Sequence, residues 1–284
     1  MTWWQAVLLG IVEGVTEFLP VSSTGHLTIA EELLGLPVDD PGVTAFTALI
    51  QVGAIAAVLV YFYTDIRTLA VAWTRGLVIP SERHRSEYRM AWYVIAGSIP
   101  IGVVGFLSKD LVTGPLRSLW VVAGALVAWS LVMYLAERSS ARREHTGSVQ
   151  EVRGLTLRDS LVIGVVQCVA LVPGVSRSGA TISAGLFRGL DRVVATRVSF
   201  FLSIPALVAA GAYEGVTTAS QISATVGWWP TAVATVVSFA VAYASIAWLL
   251  RLVAGHPITV FVGYRIGLAL LLVTALTTGV ISAT

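Results

Sequence analysis

Two glutamates four residues apart, Glu13 and Glu17, stand in an apolar run and are followed by Ser22, Ser23, Thr24, Gly25 and His26. A helix places residues four apart on one face, one turn from each other, where like charges repel. Holding an ionisable residue at a bilayer centre costs on the order of 3 kcal/mol, against a typical total stability of about 5–15 kcal/mol. The pair must therefore be protonated, matched by a cation, or shared with a metal ion. Oxygen-rich carboxylate sites favour Mg²⁺ or Ca²⁺ over softer metals. The hydroxyls and His26, which can exchange a proton near neutral pH, are candidates for attack and proton transfer. Gly25 lets the backbone approach a ligand. In a loop alone, Ser22 to Thr24 read as a helix N-cap, and that reading stays open beside the chemical one.

The same phrase recurs 154 residues later. Gly10 pairs with Gly164, Glu13 with Gln167, Ser22 with Ser176, Ser23 with Arg177, Thr24 with Ser178 and Gly25 with Gly179. The second copy, Pro173-Gly174-Val175-Ser176-Arg177-Ser178-Gly179-Ala180-Thr181, brings a guanidinium whose rigid fork suits phosphate oxygens. Ser176, Ser178, Thr181 and free backbone N–H groups at the start of the next helix complete an anion cradle. A structural role for Arg177, neutralising Glu13 or Glu17, is the competing reading. Two carboxylates, an arginine and hydroxyl cradle, and a hydroxyl–histidine pair equip a site for phosphoryl hydrolysis, where positioning and charge neutralisation carry most of the catalysis. The residues alone lead to intramembrane phosphate chemistry or anion transport.

The elements that hold these phrases follow from composition. The chain is 56% hydrophobic and 12% charged, with mean hydropathy +0.83, whereas a soluble domain carries roughly 25% charged residues. It reads as an all-α polytopic membrane protein with no separate soluble domain. The net charge of +2 says little about partners, and no nucleic-acid partner is expected; the single cysteine, Cys168, excludes an intrachain disulfide and a thiolate metal cluster. Six stretches approach the about 20 apolar residues a span requires: 43–63, 92–108, 119–136, 197–213, 228–250 and 259–281. The stretch 92–108 is short and contains Pro100. Residues 3–19 and 160–172 stop at Pro20 and at Pro173-Gly174, so they read as re-entrant helices, tolerated at depth where buried in protein or lining a wet cavity.

Basic residues orient the spans. Loops 64–91 and 137–159 each hold five arginines, which the positive-inside rule places in the cytoplasm. Counting on, fourteen basic residues lie inside and two, Lys109 and Arg117, outside with the acidic run Glu31, Glu32, Asp39 and Asp40. Both termini are then expected outside. Each half, 1–136 and 160–284, is one re-entrant hairpin followed by three spans, with 137–159 as the cytoplasmic linker. An odd count of spans inverts the second half, giving an inverted-topology repeat with a site at the repeat interface, where the two hairpin tips meet. Gln51 and Gln167 are candidates to line that cavity. Trp3, Trp4, Trp228 and Trp229 read as interfacial anchors; Asp191, Arg188 and Arg192 as a solvated turn. Arg265, inside the last span, has no assigned role.

Through Glu13-x-x-x-Glu17-Phe-Leu-Pro-Val-Ser-Ser-Thr-Gly-His26 and Pro173-Gly-Val-Ser-Arg-Ser-Gly-Ala-Thr181, the chain resembles the undecaprenyl-diphosphate phosphatase family, or bacitracin-resistance proteins. The resemblance covers essentially the whole chain, with no departure inside either motif. It implies six spans plus two re-entrant segments in a bacterial plasma membrane. It also implies removal of the terminal phosphate of undecaprenyl diphosphate, recycling the carrier lipid for cell-wall synthesis, with bacitracin resistance as a consequence. By position, it makes Glu13 and Glu17 the acidic, metal-using pair, and Ser22, Ser23 and His26 the candidates for nucleophile or proton transfer, with water as the alternative nucleophile. Ser176, Arg177, Ser178 and Thr181 become the pyrophosphate binders, with Thr24, Gly25, Gly174 and Gly179 as backbone and hydroxyl contacts. The pocket is expected to open on the outer side, with membrane lipids around it and a homodimer compatible with the pattern.

Inverted repeats with broken helices and midplane charges are also the signature of secondary transporters and lipid flippases. The serine–histidine pair beside the carboxylates, which moving an anion does not require, favours the enzyme. A lipid phosphatase of the PAP2 type fits less well, because its lysine-containing first motif and downstream histidine are missing.

Overall fold

The structure, a computed structural model, describes residues 1–38, 40–108, 111–112, 114–146, 154–217 and 226–283. Asp39, Lys109 and Arg153, and the linker from 147 to 153, lie outside these. Among the described residues there are eleven α-helices and no strand: α1 (Trp3–Thr16), α2 (Ser23–Leu33), α3 (Pro41–Tyr61), α4 (Tyr63–Val78), α5 (Ser86–Leu107), α6 (Leu119–Thr146), α7 (Leu157–Gln167), α8 (Arg177–Phe187), α9 (Arg192–Thr217), α10 (Trp228–Gly255) and α11 (Val260–Thr277). Six of them, α3, α5, α6, α9, α10 and α11, are long and apolar enough to cross a membrane.

The six expected spans are all present, with shifted ends. The largest shift at a helix start is in α5, which begins at Ser86 and continues unbroken through Pro100. Its first turns, Ser86-Glu87-Tyr88-Arg89, are helical but polar, so a hydropathy reading begins too late. The basic stretch 64–91 is largely helix: α4 buries only Ala72 and Gly76 and exposes Tyr63, Val71, Leu77 and Val78. Exposed apolar residues together with Arg67 and Arg75 suit a helix lying at a membrane surface. The linker expected from 137 is helical at first, since α6 continues to Thr146.

Both short apolar segments break where expected. The helix α1 ends at Thr16 and turns through residues 17–21 before α2. The helix α7 ends at Gln167, tightens into a 3₁₀ turn over Cys168–Leu171 and turns again before α8. Each broken helix leans on a span from the opposite half: α1 on α10, and α7 on α5. The contact is made by glycines related by the 154-residue offset. A Cβ at Gly10 would collide with the Ala234 carbonyl of α10, and one at Gly164 with the Gly97 carbonyl of α5. No larger residue permits that closeness.

The main core lies between these layers. Phe18, at the first turn, meets Phe200 of α9 edge to face with ring centroids 5.3 Å apart. Phe62, Met133, Ile182, Leu202 and Ile246 complete the cluster. Aromatic pairs of this kind contribute about 0.5–1.5 kcal/mol beyond burial, and here they fix the depth of the first turn against α9. At the arginine-rich end the turn 188–192 is ion-paired rather than solvated. Arg188 Nε lies 2.6 Å from Asp159, which is buried at the first turn of α7, and Arg192 pairs with the buried Glu137. Asp191 caps α9 by accepting from Val193 and Val194 N–H. Burial alone would raise the Asp159 carboxyl, but hydrogen bonds from Thr156 and Arg188 outweigh it and hold the group below the usual carboxylate range.

Candidate functional site

The two polar phrases fold alike and face each other. Ser22 and Ser176 are the N-caps of α2 and α8, with φ of 78° and 77°, the only positive values among the described non-glycine residues. Each accepts from the backbone N–H three residues on, Gly25 at 3.4 Å and Gly179 at 3.2 Å. Each also reaches the opposite turn: Ser22 Oγ accepts from Gly174 N–H at 2.9 Å, and Ser176 Oγ donates to the Leu19 carbonyl at 3.3 Å. A non-glycine residue at positive φ stores strain that its surroundings must hold, and these crossed bonds hold it. The capping reading of Ser22 is thus realised, and it also joins the two phrases.

Arg265 completes that junction. It is fully buried, and it donates to the Pro20 carbonyl at 2.9 Å and the Gly174 carbonyl at 2.8 Å, one from each turn. Its remaining donors reach Ser130 Oγ and the Leu126 carbonyl on α6. The residue without a role in the sequence is therefore a four-point brace across both breaks.

Within the braced turns, Glu17 is the hub. Its Oε1 accepts from Arg177 Nη2 at 2.7 Å and its Oε2 from Ser23 Oγ at 2.7 Å. Arg177 thus does neutralise a glutamate, but with one nitrogen only: Nη1 is buried without a hydrogen-bond partner among the described residues. Glu13, 1% exposed, likewise has an unpartnered Oε1. A buried unmade hydrogen bond costs about 1–3 kcal/mol, more for a charged group, so a donor and an acceptor left open in one cavity mark the place of a polar ligand.

That cavity, about 320 Å³, is lined by Glu13, Glu17, Ser22, Ser23, Thr24, Ser176 and Arg177 among the expected site residues, and by Gln51. Ile101, Ala170, Leu171 and Leu207 give it an apolar wall. The remaining expected residues stand behind it. Thr181 bonds Ser199 Oγ of α9 at 2.5 Å, and Ser178 shares a 3.1 Å contact with Ser176 Oγ. Gly25, Gly174 and Gly179 supply the backbone N–H groups described above. Gln167 is fully buried with both amide atoms unpartnered among the described residues, away from the cavity lining.

His26 turns away from Ser23. Its Nδ1 lies 2.7 Å from the Ser22 carbonyl and its Nε2 2.6 Å from the Tyr264 hydroxyl, with the two rings nearly parallel and their centroids 5.7 Å apart. A carbonyl can only accept, so Nδ1 carries the proton and Nε2 accepts from Tyr264. The proton acceptor within reach of Ser23 is Glu17. Sequence reasoning also passed over Glu31 of α2, Thr44 and Thr47 of α3, and Arg117 in the 3₁₀ turn Pro115–Arg117, which line the same cavity.

No cluster of three or more metal-binding His, Cys, Asp or Glu side chains occurs among the described residues. The oxygen set of Glu13 and Glu17 suits a hard cation that takes one or two carboxylates and fills its shell with water and phosphate oxygens.

Fold and site together define a multi-pass, all-helical membrane protein whose two broken helices close a carboxylate, arginine and hydroxyl cavity. The sequence model of the family described as "Bacitracin resistance protein BacA" matches residues 6–271, and the chain belongs to that family. It is 57% identical over 280 residues to "Undecaprenyl-diphosphatase 3" of Frankia casuarinae, covering 99% of each chain. It is 55% identical over 284 residues to "Undecaprenyl-diphosphatase" of Acidothermus cellulolyticus, covering 98% of each. The Cutibacterium acnes protein of the same name is 51% identical over 290 residues, covering 100% of each.

Proposed function

We propose that this chain hydrolyses undecaprenyl diphosphate to undecaprenyl phosphate and inorganic phosphate, recycling the carrier lipid for cell-wall synthesis and so conferring bacitracin resistance. The observation that carries the reading is that Arg177 and Glu13, which line one cavity, each keep a buried polar atom without a partner among the described residues, beside a Ser23 already hydrogen-bonded to Glu17. The diphosphate takes the free guanidinium edge and the Ser176 end of the cradle, and the first isoprene units lie on Ile101, Leu171 and Leu207.

Ser23 Oγ attacks the terminal phosphorus and passes its proton to Glu17 Oε2. The bond from that phosphorus to the bridging oxygen breaks, with its electron pair going to the lipid monophosphate. A phosphate monoester has a second pKa of about 6, so it leaves without a proton donor, and no imidazole is required at this step. Water then attacks the phosphoserine phosphorus, the bond from phosphorus to Ser23 Oγ breaks, and Oγ takes back the proton held on Glu17 Oε2, which frees inorganic phosphate and restores the starting carboxylate. Arg177 holds the charge that grows on the equatorial oxygens. Glu13, with Glu17 and the substrate's own phosphate oxygens, would hold a Mg²⁺ or Ca²⁺ ion, which supplies further charge neutralisation when bound. Rapid quench with substrate labelled in the terminal phosphate tests the route. A labelled protein band is expected in wild type and is lost in Ser23→Ala; its absence from wild type at every time point makes water the nucleophile.

The same reading includes the inverted repeat of two re-entrant hairpins, an outward-facing cavity and termini outside. The matched caps, the crossed Ser22 and Ser176 bonds and the exchanged Gly10 and Gly164 contacts support the repeat. The arginines of α4, α6 and α9 at the opposite end support the orientation. Cysteine labelling from either side of sealed vesicles checks it, and mass measurement in detergent checks the homodimer. A flippase reading draws on a second cavity at that opposite end, about 640 Å³, lined by Asp65, Arg89, Thr156 and Arg197. Phosphate release by purified protein in detergent separates the two, since transport makes no new species.

A further inference from the structure

The cavity does not end at Arg177. On α2 it is lined by Thr24, Leu27, Thr28 and Glu31, and on α3 by Thr44, Thr47, Ala48 and Gln51. Each set falls at i, i+3, i+4 and i+7, a single stripe along one helix face. At 1.5 Å per residue, seven residues carry each stripe about 10 Å along its helix. The α2 stripe leads from the Ser22 cap to Glu31 near the helix end, where Arg117 and Thr44 join it.

Glu31 is 1% exposed, and neither of its carboxylate oxygens has a hydrogen-bond partner among the described residues. Arg117 Nη2 stands 4.0 Å from Glu31 Oε2, too far for a hydrogen bond, while its Nη1 donates to Thr44 Oγ1 at 3.0 Å. The arginine side chain is 15% exposed. A guanidinium and a carboxylate thus line the same cavity as an ion pair too long to be hydrogen-bonded, which leaves donors on one and acceptors on the other for an anion beside the pair.

We propose that Arg117, Thr44 and Glu31 form a second anion station, built for hydrogen phosphate, through which the released inorganic phosphate leaves the reaction site. The assignment rests on the phosphatase reading for the source of the anion but not for its binding. The two phosphates of a diphosphate share one bridging oxygen, so a single substrate cannot occupy Arg177 and a station about 10 Å farther along the helix. The second station takes a separate phosphate. Burial raises the Glu31 carboxyl to about 7 against the opposing pull of Arg117; above that pH it is ionised and only accepts hydrogen bonds, so there Glu31 favours an anion that still carries an O–H. Orthophosphate near neutral pH carries at least one; sulfate and phosphodiesters, including the diester headgroups of membrane lipids, carry none. The Arg117 fork supplies the charge-assisted bonds common to all three anions.

Equilibrium binding of inorganic phosphate to the full-length protein in detergent, followed by phosphorus NMR or calorimetry, tests this without turnover. Two phosphates per chain are expected, one lost in Arg177→Ala and the other in Arg117→Gln. Sulfate or dimethyl phosphate should displace the Arg177-dependent phosphate and leave the Arg117-dependent one, weaker there by about tenfold or more. In Glu31→Gln, whose amide can donate, that discrimination should disappear. A single phosphate per chain, or equal displacement of both phosphates by sulfate in wild type, overturns the proposal, and the wild-type competition stands even if a variant fails to fold. Absence of phosphate release from lipid diphosphate by wild type would refute the phosphatase reading instead, leaving the binding result to be judged alone.

Discussion

Replacing Arg265 with methionine removes the only donor that reaches the Pro20 and Gly174 carbonyls among the described residues. Both carbonyls are buried, and each unsatisfied acceptor costs about 1–3 kcal/mol, so the two together lose about 2–6 kcal/mol. Ser130 adds little, because its hydroxyl still donates to the Leu126 carbonyl at 2.7 Å. Against this, a buried cation with no acidic partner among the described residues is itself expensive to desolvate, and an apolar side chain of similar length recovers part of that. The net loss therefore falls toward the lower end, about 2 kcal/mol, out of a typical 5–15. Activity should suffer more than stability. The brace fixes the turn before Ser22 relative to the turn before Ser176, and a misplacement of about 1 Å at a reacting centre can cost roughly 10²-fold in rate. Arg265→Lys keeps the charge but offers one ammonium for acceptors on three elements, so it should fall between wild type and Met. Thermal inactivation and phosphate release, measured in the same detergent, report the two effects separately. A Met variant within twofold of wild type in both would refute the brace.

Arg177→Lys should lower kcat/KM by roughly 10²-fold or more with the fold intact, because one ammonium cannot hold Glu17 and also present a free edge to phosphate; near-normal phosphate release would count against that division of labour. Chelation should abolish turnover, and Glu13→Gln should raise the Mg²⁺ or Ca²⁺ concentration needed for half-maximal rate, read from metal titrations of both proteins; an unchanged titration removes Glu13 from the cation's ligands. Asp159→Asn should destabilise the protein at neutral pH. A carboxyl whose folded pKa is depressed contributes stability above its unfolded value, about 3.9, and loses it as pH falls toward the folded one. The gap between wild type and variant in thermal inactivation should therefore close below about pH 4, and a gap independent of pH would assign the loss to packing alone.

What the sequence could show was set by how local each signal is. Polar residues at helical or turn spacing inside apolar runs marked both breaks, the Glu13–Glu17 face and the Arg177 cradle. Spans were legible because about 20 apolar residues leave little alternative in a bilayer. Long-range pairing was not. Arg265 bonds carbonyls, which every residue carries, so nothing in the sequence distinguishes Pro20 and Gly174 as its partners. Glu31 looked like one of an outer acidic run, Arg117 like an outer basic residue beside Lys109, and Arg188 and Arg192 like turn residues, until folding placed Asp159 and Glu137 beside the last two. The positive φ of Ser22 and Ser176 was hidden because serine gives no sign of it, unlike glycine. His26 was read with Ser23 by proximity in sequence, yet the two side chains leave α2 toward different helices, α11 and α1.

The exchange of partners between the halves bears on how the protein is made. Gly10 finds its seat on Ala234 only after more than two hundred further residues have left the ribosome, roughly 10–45 s at about 5–20 residues per second. Through that interval α1 and the turn after it hold Glu13 and Glu17 with neither α10 nor Arg177 beside them. The pocket is therefore a late event in biogenesis, closed when the second half arrives. Synthesised as separate fragments, each half should be inert alone, and activity should return only when both are present in one bilayer.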